Sequence, residues 1–289
     1  MYKCIKCSRD IEDGFKCSCG FEPEFSENGI LLFDKKDAYQ NKYFHDSQMH
    51  LFTKYEDVNF WLVSRKNLIV NLINKYTKGN FKKYIEIGSG SGYIANAVKN
   101  KFKNSKIMVA DIYLSMLNLC NRYIDKENLI QMNATNIPFS DEFDVIGMFD
   151  VLEHIDEDKV VLSQIYSALH DGGRFFVIVP QHKILWSKSD EYTGHVRRYS
   201  RKELIEKMEN AGFKIEFTSS FMCFLFPLMF LSRFLKKFMP KNSDISDEIK
   251  INPFLNKIFG FLLNIETKLI EKGMDMPFGG SICAIGRKK

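Results

Sequence analysis

One stretch limits the fold of this chain more than any other: Tyr84-Ile85-Glu86-Ile87-Gly88-Ser89-Gly90-Ser91-Gly92-Tyr93-Ile94-Ala95. A short apolar run of strand type meets three glycines at alternate positions, and a helix-forming segment follows. Glycine lets a backbone pass close to a ligand with no Cβ in the way. The start of the next helix offers unpaired N–H groups to the same ligand. The spacing is G-x-G-x-G, and Tyr93 stands where the dinucleotide fingerprint G-x-G-x-x-G has its last glycine. The loop therefore points away from a pyrophosphate and toward another cofactor.

Around this loop the chain alternates. Apolar strand segments at 84–87, 107–110, 129–132, 143–149 and 175–179 enclose helical patterns at 93–102, 114–124 and 159–169. Such a series predicts a parallel sheet covered by helices on both faces. Asp171-Gly172-Gly173 reads as a turn in the fifth unit. A helix is expected over 200–210, with Ser200 as N-cap, Glu203 three residues later and Gly212 beyond its end. Strands at 214–218 and 281–285 bring the sheet to seven.

Four of the seven cysteines, Cys4, Cys7, Cys17 and Cys19, fall in the first nineteen residues. Cysteines clustered in a chain without a secretion signal suggest a metal before a disulfide. C-x-x-C followed by C-x-C suits a closed tetrahedral zinc site, although the second knuckle is tighter than the usual C-x-x-C. So short a unit buries little core, so the metal would supply its folding energy. Cys120, Cys223 and Cys283 stand in apolar surroundings and read as core thiols.

Two further segments flank the series. Residues 35–80 look helical, with Phe60, Trp61, Val63, Leu68, Ile69, Leu72 and Ile73 at helical spacings. Residues 221–278 form an insertion. Its apolar run at 221–231 is too short to span a bilayer and is followed by Arg233, Lys236 and Lys237. A polar loop at 242–250 leads to a helix with Phe254, Leu255, Ile258, Phe259, Leu262, Ile265 and Leu269 on one face. Internal packing, a lid over an acceptor pocket, and an interfacial membrane contact through 221–270 all fit this pattern. The net charge of +5 is too small for a nucleic-acid footprint. Met1-Tyr2-Lys3-Cys4 opens no apolar leader, so a cytoplasmic protein is expected, with the inner face of the membrane as its peripheral location.

Asp111 ends the second strand about 20 residues past the loop, where an acid can accept both hydroxyls of a ribose. The third strand ends in Asn133-Ala134 with Ile137-Pro138-Phe139, and the fourth runs from Phe143-Asp144-Val145-Ile146 to Asp150-Val151-Leu152-Glu153-His154. Together with Asp171-Gly172-Gly173-Arg174, Pro180 and Ala211-Gly212-Phe213, these motifs resemble the class I S-adenosylmethionine-dependent methyltransferases. The resemblance is closest to their ubiquinone- and menaquinone-biosynthesis-like, small-molecule branch, and covers about 40–220 and the final strand.

The resemblance implies a Rossmann-like α/β fold: a seven-stranded, mostly parallel sheet with helices on both faces. To this the chain adds a zinc ribbon at 1–34, a helical lid at 35–80, and a helical insertion at 221–278 between the core at 81–220 and the last strand at 279–289. It also implies site roles. Gly88, Ser89, Gly90 and Gly92 would cradle the methionine part of the cofactor, with Glu86 ordering the loop. Asp111 would hold the ribose, Ile112 would pack on the adenine, and Asn133 and Ala134 would lie beside it. Asn133 stands where the family usually has Asp, and its amide oxygen would meet the adenine amino group. Phe149 and Asp150 would line the sulfonium end. In the helix before the sheet, Trp61 and Arg65 read either as methyl shield and carboxylate partner or as core and surface residues. The segment Phe25-Ser26-Glu27-Asn28-Gly29-Ile30-Leu31-Leu32-Phe33 resembles the hairpin after zinc ribbons in some methyltransferases, including certain 23S rRNA guanine methyltransferases.

Methyl transfer from a sulfonium is an in-line displacement in which the protein mainly positions donor and acceptor and excludes water. A base is required only where the acceptor must lose a proton. His154 and His195 are the candidates, with a bracing role as the alternative for His154. His195 lies in a Gly-His-x-Arg-Arg-Tyr segment similar to one found in methyltransferases encoded with lipid- and polysaccharide-modifying enzymes. Tyr192, Arg197, Arg198 and Tyr199 are expected to bind an anionic acceptor, unless the segment is only a charged helix entry. The expected activity is methylation, at oxygen, of a small or lipid-linked acceptor such as an anionic glycan or isoprenoid. An rRNA or tRNA methyltransferase and a non-catalytic cofactor-binding scaffold are the rivals; Tyr93 counts against a nicotinamide dehydrogenase.

Overall fold

The computed structural model describes residues 2–11, 16–39, 53–236 and 251–289. The loop expected at 242–250 and most of the first half of the helical segment at 35–80 lie outside the described residues. The sheet core consists of β5 (Lys83–Ile87), β6 (Lys106–Asp111), β7 (Leu129–Gln131), β8 (Phe143–Phe149), β9 (Leu169–Pro180), β10 (Lys214–Phe221) and β11 (Ser281–Arg287). The spatial order is β10-β11-β9-β8-β5-β6-β7. β5 to β9 run parallel, whereas β11 is antiparallel to both its neighbours. The expected seven-stranded Rossmann-like sheet is thus present. Chain order reverses between β5 and β8, and ligands bind beyond the strand ends at such a switch point.

Helices fill both faces. α2 (Phe60–Thr77), α3 (Tyr93–Lys101) and α4 (Leu114–Cys120) bury Leu68, Ile69, Leu72, Val98 and Leu117 on one side, together with Tyr84 of β5. α5 (Asp158–Ala168) and α7 (Arg201–Asn210) bury Val161, Ile165, Leu204 and Met208 on the other, against Ile85 and Ile87. Alternate β5 side chains thus enter opposite cores, as a doubly covered strand requires. Ser200 caps α7 as expected, its hydroxyl accepting from Glu203 N at 3.1 Å. α2 has its own cap, Asn59, whose side chain accepts from Trp61 N and Leu62 N.

The N-terminal unit is built into this sheet. β1 (Tyr2–Lys3) and β2 (Asp10–Ile11) make a separate hairpin. β4 (Leu31–Leu32) pairs parallel to β7, and β3 (Glu24–Phe25) pairs antiparallel to β4, so among the described residues the sheet has nine strands. Leu32 and Phe33 lead into the short α1 (Lys35–Ala38) at the strand ends beside β7.

Two boundaries differ from the sequence expectation. The turn at 171–173 is an irregularity inside the twelve-residue β9, where Gly172 takes φ +77°. β10 continues through Phe221, because Phe221 pairs with Ser281 of β11. The insertion then forms α8 (Phe226–Lys236) and α9 (Pro253–Glu271). α9 packs along α2: the Phe60 and Phe259 rings lie 5.4 Å apart, and Asn256 accepts from Phe60 N and donates to Val58 O. Glu266 is fully buried and accepts from the backbone N–H groups of Cys223 and Phe224, fixing α9 to the end of β10. Among the described residues no helix is long and apolar enough to cross a membrane.

Candidate active site

The glycine loop closes β5 onto β6: Gly88 N and Ser89 N both donate to Ala110 O. Gly88, Gly90 and Gly92 all have positive φ, the region that favours glycine. Their surroundings differ. A Cβ on Gly88 would lie 2.3 Å from Val151 Cγ2, and one on Gly92 would press on Cys120, but one on Gly90 would meet nothing within 4 Å. Gly88 and Gly92 thus serve packing, while the Cα face of Gly90 is open. Asp111 joins the two strand ends. Its Oδ2 accepts from Gly90 N at 3.1 Å and its Oδ1 from Tyr113 N at 3.0 Å. Burial pushes its carboxyl up to about 6. Glu86 is buried beneath the loop and accepts from Tyr84 OH at 3.1 Å. Burial, with the Asp111 charge adding to it, pushes Glu86 up to about 8.

On the adenine side Ile112 is partly exposed and Ala134 is buried. Asn133 is not turned as expected: its Oδ1 accepts from Thr135 N at 3.0 Å and Thr135 Oγ1 at 2.8 Å. The local turn takes both acceptor positions that an adenine amino group would need.

α2 brings Trp61 and Arg65 over the strand ends. Arg65 is buried, lies 5.5 Å from the Trp61 ring centroid, and pairs with Asp150 at 2.5 Å. The surface alternative for Arg65 is therefore excluded. Its Nε is buried without a hydrogen-bond partner among the described residues. Asp150 follows Phe149 at the end of β8 with φ +54°, a strained conformation for a residue with a Cβ.

The histidines meet just beyond. Their rings lie 4.7 Å apart, edge to face. His195 Nδ1 lies 2.9 Å from Asp190 Oδ1, and its Nε2 is 3.8 Å from Glu153 Oε1. Burial alone would raise the Asp190 carboxyl, but bonds from His195 and Arg198 hold it well below the usual range. Glu153 is fully buried, and burial, then the Asp150 charge, raises it well above the usual range. His154 Nδ1 sits 3.3 Å from Gly194 O, and burial, with the nearby His195, lowers it to about 4. That is a brace for the loop of His195. Glu153, His154 and His195 also bring one ligand atom each within 4.8 Å of one another.

Three residues expected on the acceptor are placed otherwise. Arg198 is buried, donating to Asp190 at 2.7 Å and to Gln181 O at 3.2 Å. Arg197 pairs with Asp158 at 2.5 Å and donates to Asp156 O. Tyr199 is fully buried with its OH 2.7 Å from Asp158 Oδ2. Buried acids on α5 and on the short α6 (Lys188–Tyr192) hold these groups, which thereby brace the loop. Tyr192 is exposed.

Residues 63–216 match the family described as the methyltransferase domain. The chain belongs to that family. It is 26% identical over 138 residues to a probable S-adenosylmethionine-dependent methyltransferase of Mycolicibacterium smegmatis, covering 46% of this chain and 52% of that protein. It is 29% identical over 126 residues to the ubiquinone/menaquinone biosynthesis C-methyltransferase UbiE of Pectobacterium atrosepticum, covering 40% and 50%. The chain thus spans about half the length of these curated relatives. The structure of phosphoethanolamine N-methyltransferase 2 of Haemonchus contortus with S-adenosyl-L-methionine superposes with a TM-score of 0.56 at 17% identity, covering 86% of this chain and 58% of that one. That likeness is one of fold.

The cysteine unit packs beside the loop that carries Asn133: Asn136 Nδ2 donates to Ile5 O at 2.8 Å and Lys3 N to Pro138 O at 2.9 Å. Cys4, Cys7, Cys17 and Cys19 bring all four sulfurs within 4.8 Å of one another, with Cys4–Cys19 and Cys7–Cys17 each 3.5 Å apart. Zn–S bonds of about 2.3 Å in a tetrahedron separate the sulfurs by about 3.8 Å, so the cluster is compatible with zinc. Lys6 N points at Cys4 Sγ at 3.4 Å, and Ser8 and Gly20 take positive φ at the knuckle turns. Cys120, Cys223 and Cys283 are buried, as expected.

Several partners in the site belong to no sequence motif. Glu56, nearly fully buried, accepts from Ser91 Oγ at 2.9 Å and pairs with Arg122 at 2.8 Å, tying the segment before α2 to the glycine loop. Asp190 and Glu153 carried no local signal beyond their acidity. His182, just past β9, has φ +62° and packs its ring 5.6 Å from Phe226 of α8.

Proposed function

We propose that this protein transfers a methyl group from S-adenosylmethionine to a small or lipid-linked acceptor. The observation that carries the reading is the cradle: a glycine loop open at the Cα face of Gly90, a buried Asp111 beneath it, and a buried Arg65 whose Nε has no hydrogen-bond partner among the described residues. These residues fit the cofactor. Gly88, Ser89, Gly90 and Gly92, steadied by Glu86, would hold its methionine part; Asp111 its ribose; Ile112 and Ala134 its adenine. Arg65 has a donor to spare for the methionine carboxylate, and Trp61, Phe149 and Asp150 would enclose the sulfonium end. The cofactor supplies the methyl group; the chain supplies position and a dry site.

We place the acceptor atom at oxygen, with His195 as the base. Asp190 holds the Nδ1 proton, leaving Nε2 to take a proton from a hydroxyl. The cysteine cluster would bind a structural zinc that folds the N-terminal unit. The apolar outer faces of α8 and α9 support a lipidic acceptor and a site on the inner membrane face. Leu228, Leu231, Phe254 and Phe261 are all at least half exposed, with Lys257 among them.

Labelled-methyl transfer into separate lipid, small-molecule and RNA extracts tests the proposal. Label is expected in the lipid or small-molecule fraction; label in RNA alone would establish the rival nucleic-acid substrate. Cofactor binding with no label in any fraction would favour the scaffold. Co-sedimentation with anionic phospholipid vesicles, lost in Phe254→Ser with Phe261→Ser, tests the membrane contact separately.

A further inference from the structure

The parallel pairing of β4 with β7 has a chemical consequence. Parallel strands end on the same side, so the residues after β4 emerge beside the loop that carries Asn133. Gln131, fully buried, locks them there: its backbone O accepts from Phe33 N at 3.0 Å, its Oε1 accepts from Asp34 N at 2.9 Å, and its Nε2 donates to Ile112 O at 3.0 Å. α1 then places Asp37 Oδ2 3.3 Å from Asn133 Nδ2.

The orientation of Asn133 follows from its partners. A backbone N–H only donates, so the atom facing Thr135 N is the amide oxygen; an ionised carboxylate only accepts, so the atom facing Asp37 is the amide nitrogen. Both ends give one answer. Asn133 therefore presents donors alone on its outer side. The exocyclic amino group of adenine is a donor as well, and two donors do not pair.

We propose that Asp37 supplies the acceptor for the adenine amino group, so that the N-terminal unit completes the cofactor pocket of the core. The inference rests on the reading of the 111–134 edge as the adenosine site. It makes Asp37 a specificity residue that selects a 6-amino purine over a 6-oxo purine.

Calorimetry with S-adenosylhomocysteine and with S-inosylhomocysteine, its 6-oxo counterpart, tests it on the full chain. The unaltered protein should prefer the adenine compound by about tenfold. Asp37→Ala should weaken the adenine compound by about tenfold and leave the inosine compound nearly unchanged. The cap of α1 uses the Asp34 side chain and the backbone N of Asp37, so this substitution spares it. Asp37→Asn, whose amide can donate to a 6-oxo group, should narrow the preference by strengthening the inosine compound. Equal weakening of both ligands, or an unchanged preference in both variants, would overturn the role of Asp37. Failure of the unaltered protein to bind either ligand would overturn the adenosine site and the inference with it.

Discussion

His195 Nδ1 lies 2.9 Å from Asp190 Oδ1 at the loop that follows β9. Asp190 is itself fixed by Arg198 Nε at 2.7 Å and by Ser187 N at 2.8 Å. An acceptor held so firmly keeps the imidazole proton on Nδ1 and leaves Nε2 basic. His195→Gln should therefore lower kcat by about a hundredfold or more while S-adenosylmethionine affinity stays within about twofold. Asp190→Asn should lower kcat in the same sense. Steady-state rates beside calorimetric affinities read the two effects apart, and an unchanged kcat would remove His195 as base.

The loop glycines should respond differently to one methyl group. Gly88→Ala drives its Cβ to within 2.3 Å of Val151 and should lower the unfolding temperature clearly. Gly90→Ala meets no atom within 4 Å and pays only the left-handed backbone cost of about 1 kcal/mol. Its cofactor affinity should nevertheless fall by more than about tenfold, because the methyl group occupies the open face of the loop. Thermal melts and binding titrations on both variants check the contrast. Retained cofactor affinity in Gly90→Ala would show that the ligand lies elsewhere.

Cofactor affinity should depend on pH. Burial raises Asp111 to about 6 and Glu86 to about 8, so each is neutral below its value and charged above it. A cationic sulfonium favours the charged forms. Affinity should therefore rise as pH increases through 6 and then 8, with proton release on binding near neutrality. S-adenosylhomocysteine lacks the sulfonium charge and should show a flatter profile. Titrations in buffers of different ionisation enthalpy measure the protons released; equal profiles for the two ligands would contradict the electrostatic account.

Zinc should be present at one ion per chain in protein purified under reducing conditions. Cys4→Ser and Cys17→Ser should lose it, and with it the order of the unit that carries β3 and β4. Metal analysis and amide exchange over 24–38 check this. A metal-free protein with a protected N-terminal unit would show that the thiols hold the fold without zinc.

The sheet was legible because its strands carry a local signal: Val145, Ile146 and Met148 lie in the expected segment at 143–149, which matches β8. The glycine loop and Asp111 were legible for the same reason, each bounded by a strand end. What escaped depends on contacts between distant residues. Arg197 and Arg198 read in sequence as partners of an anionic acceptor, but Asp158 and Asp190 pair with them. The amide of Asn133 is aimed by Thr135 and Asp37, and no spacing rule reports an amide's direction. β4 has two residues, too few for periodicity to show that it would extend the main sheet.

S-adenosylmethionine is proposed to lie across the open loop at Gly90 and against the buried Arg65. Calorimetric titration of the full chain with S-adenosylmethionine and, separately, with NADH tests it most directly. Saturable one-to-one binding of S-adenosylmethionine, weakened in Arg65→Met, is expected, with no measurable binding of NADH. Tight NADH binding with none of S-adenosylmethionine would contradict it.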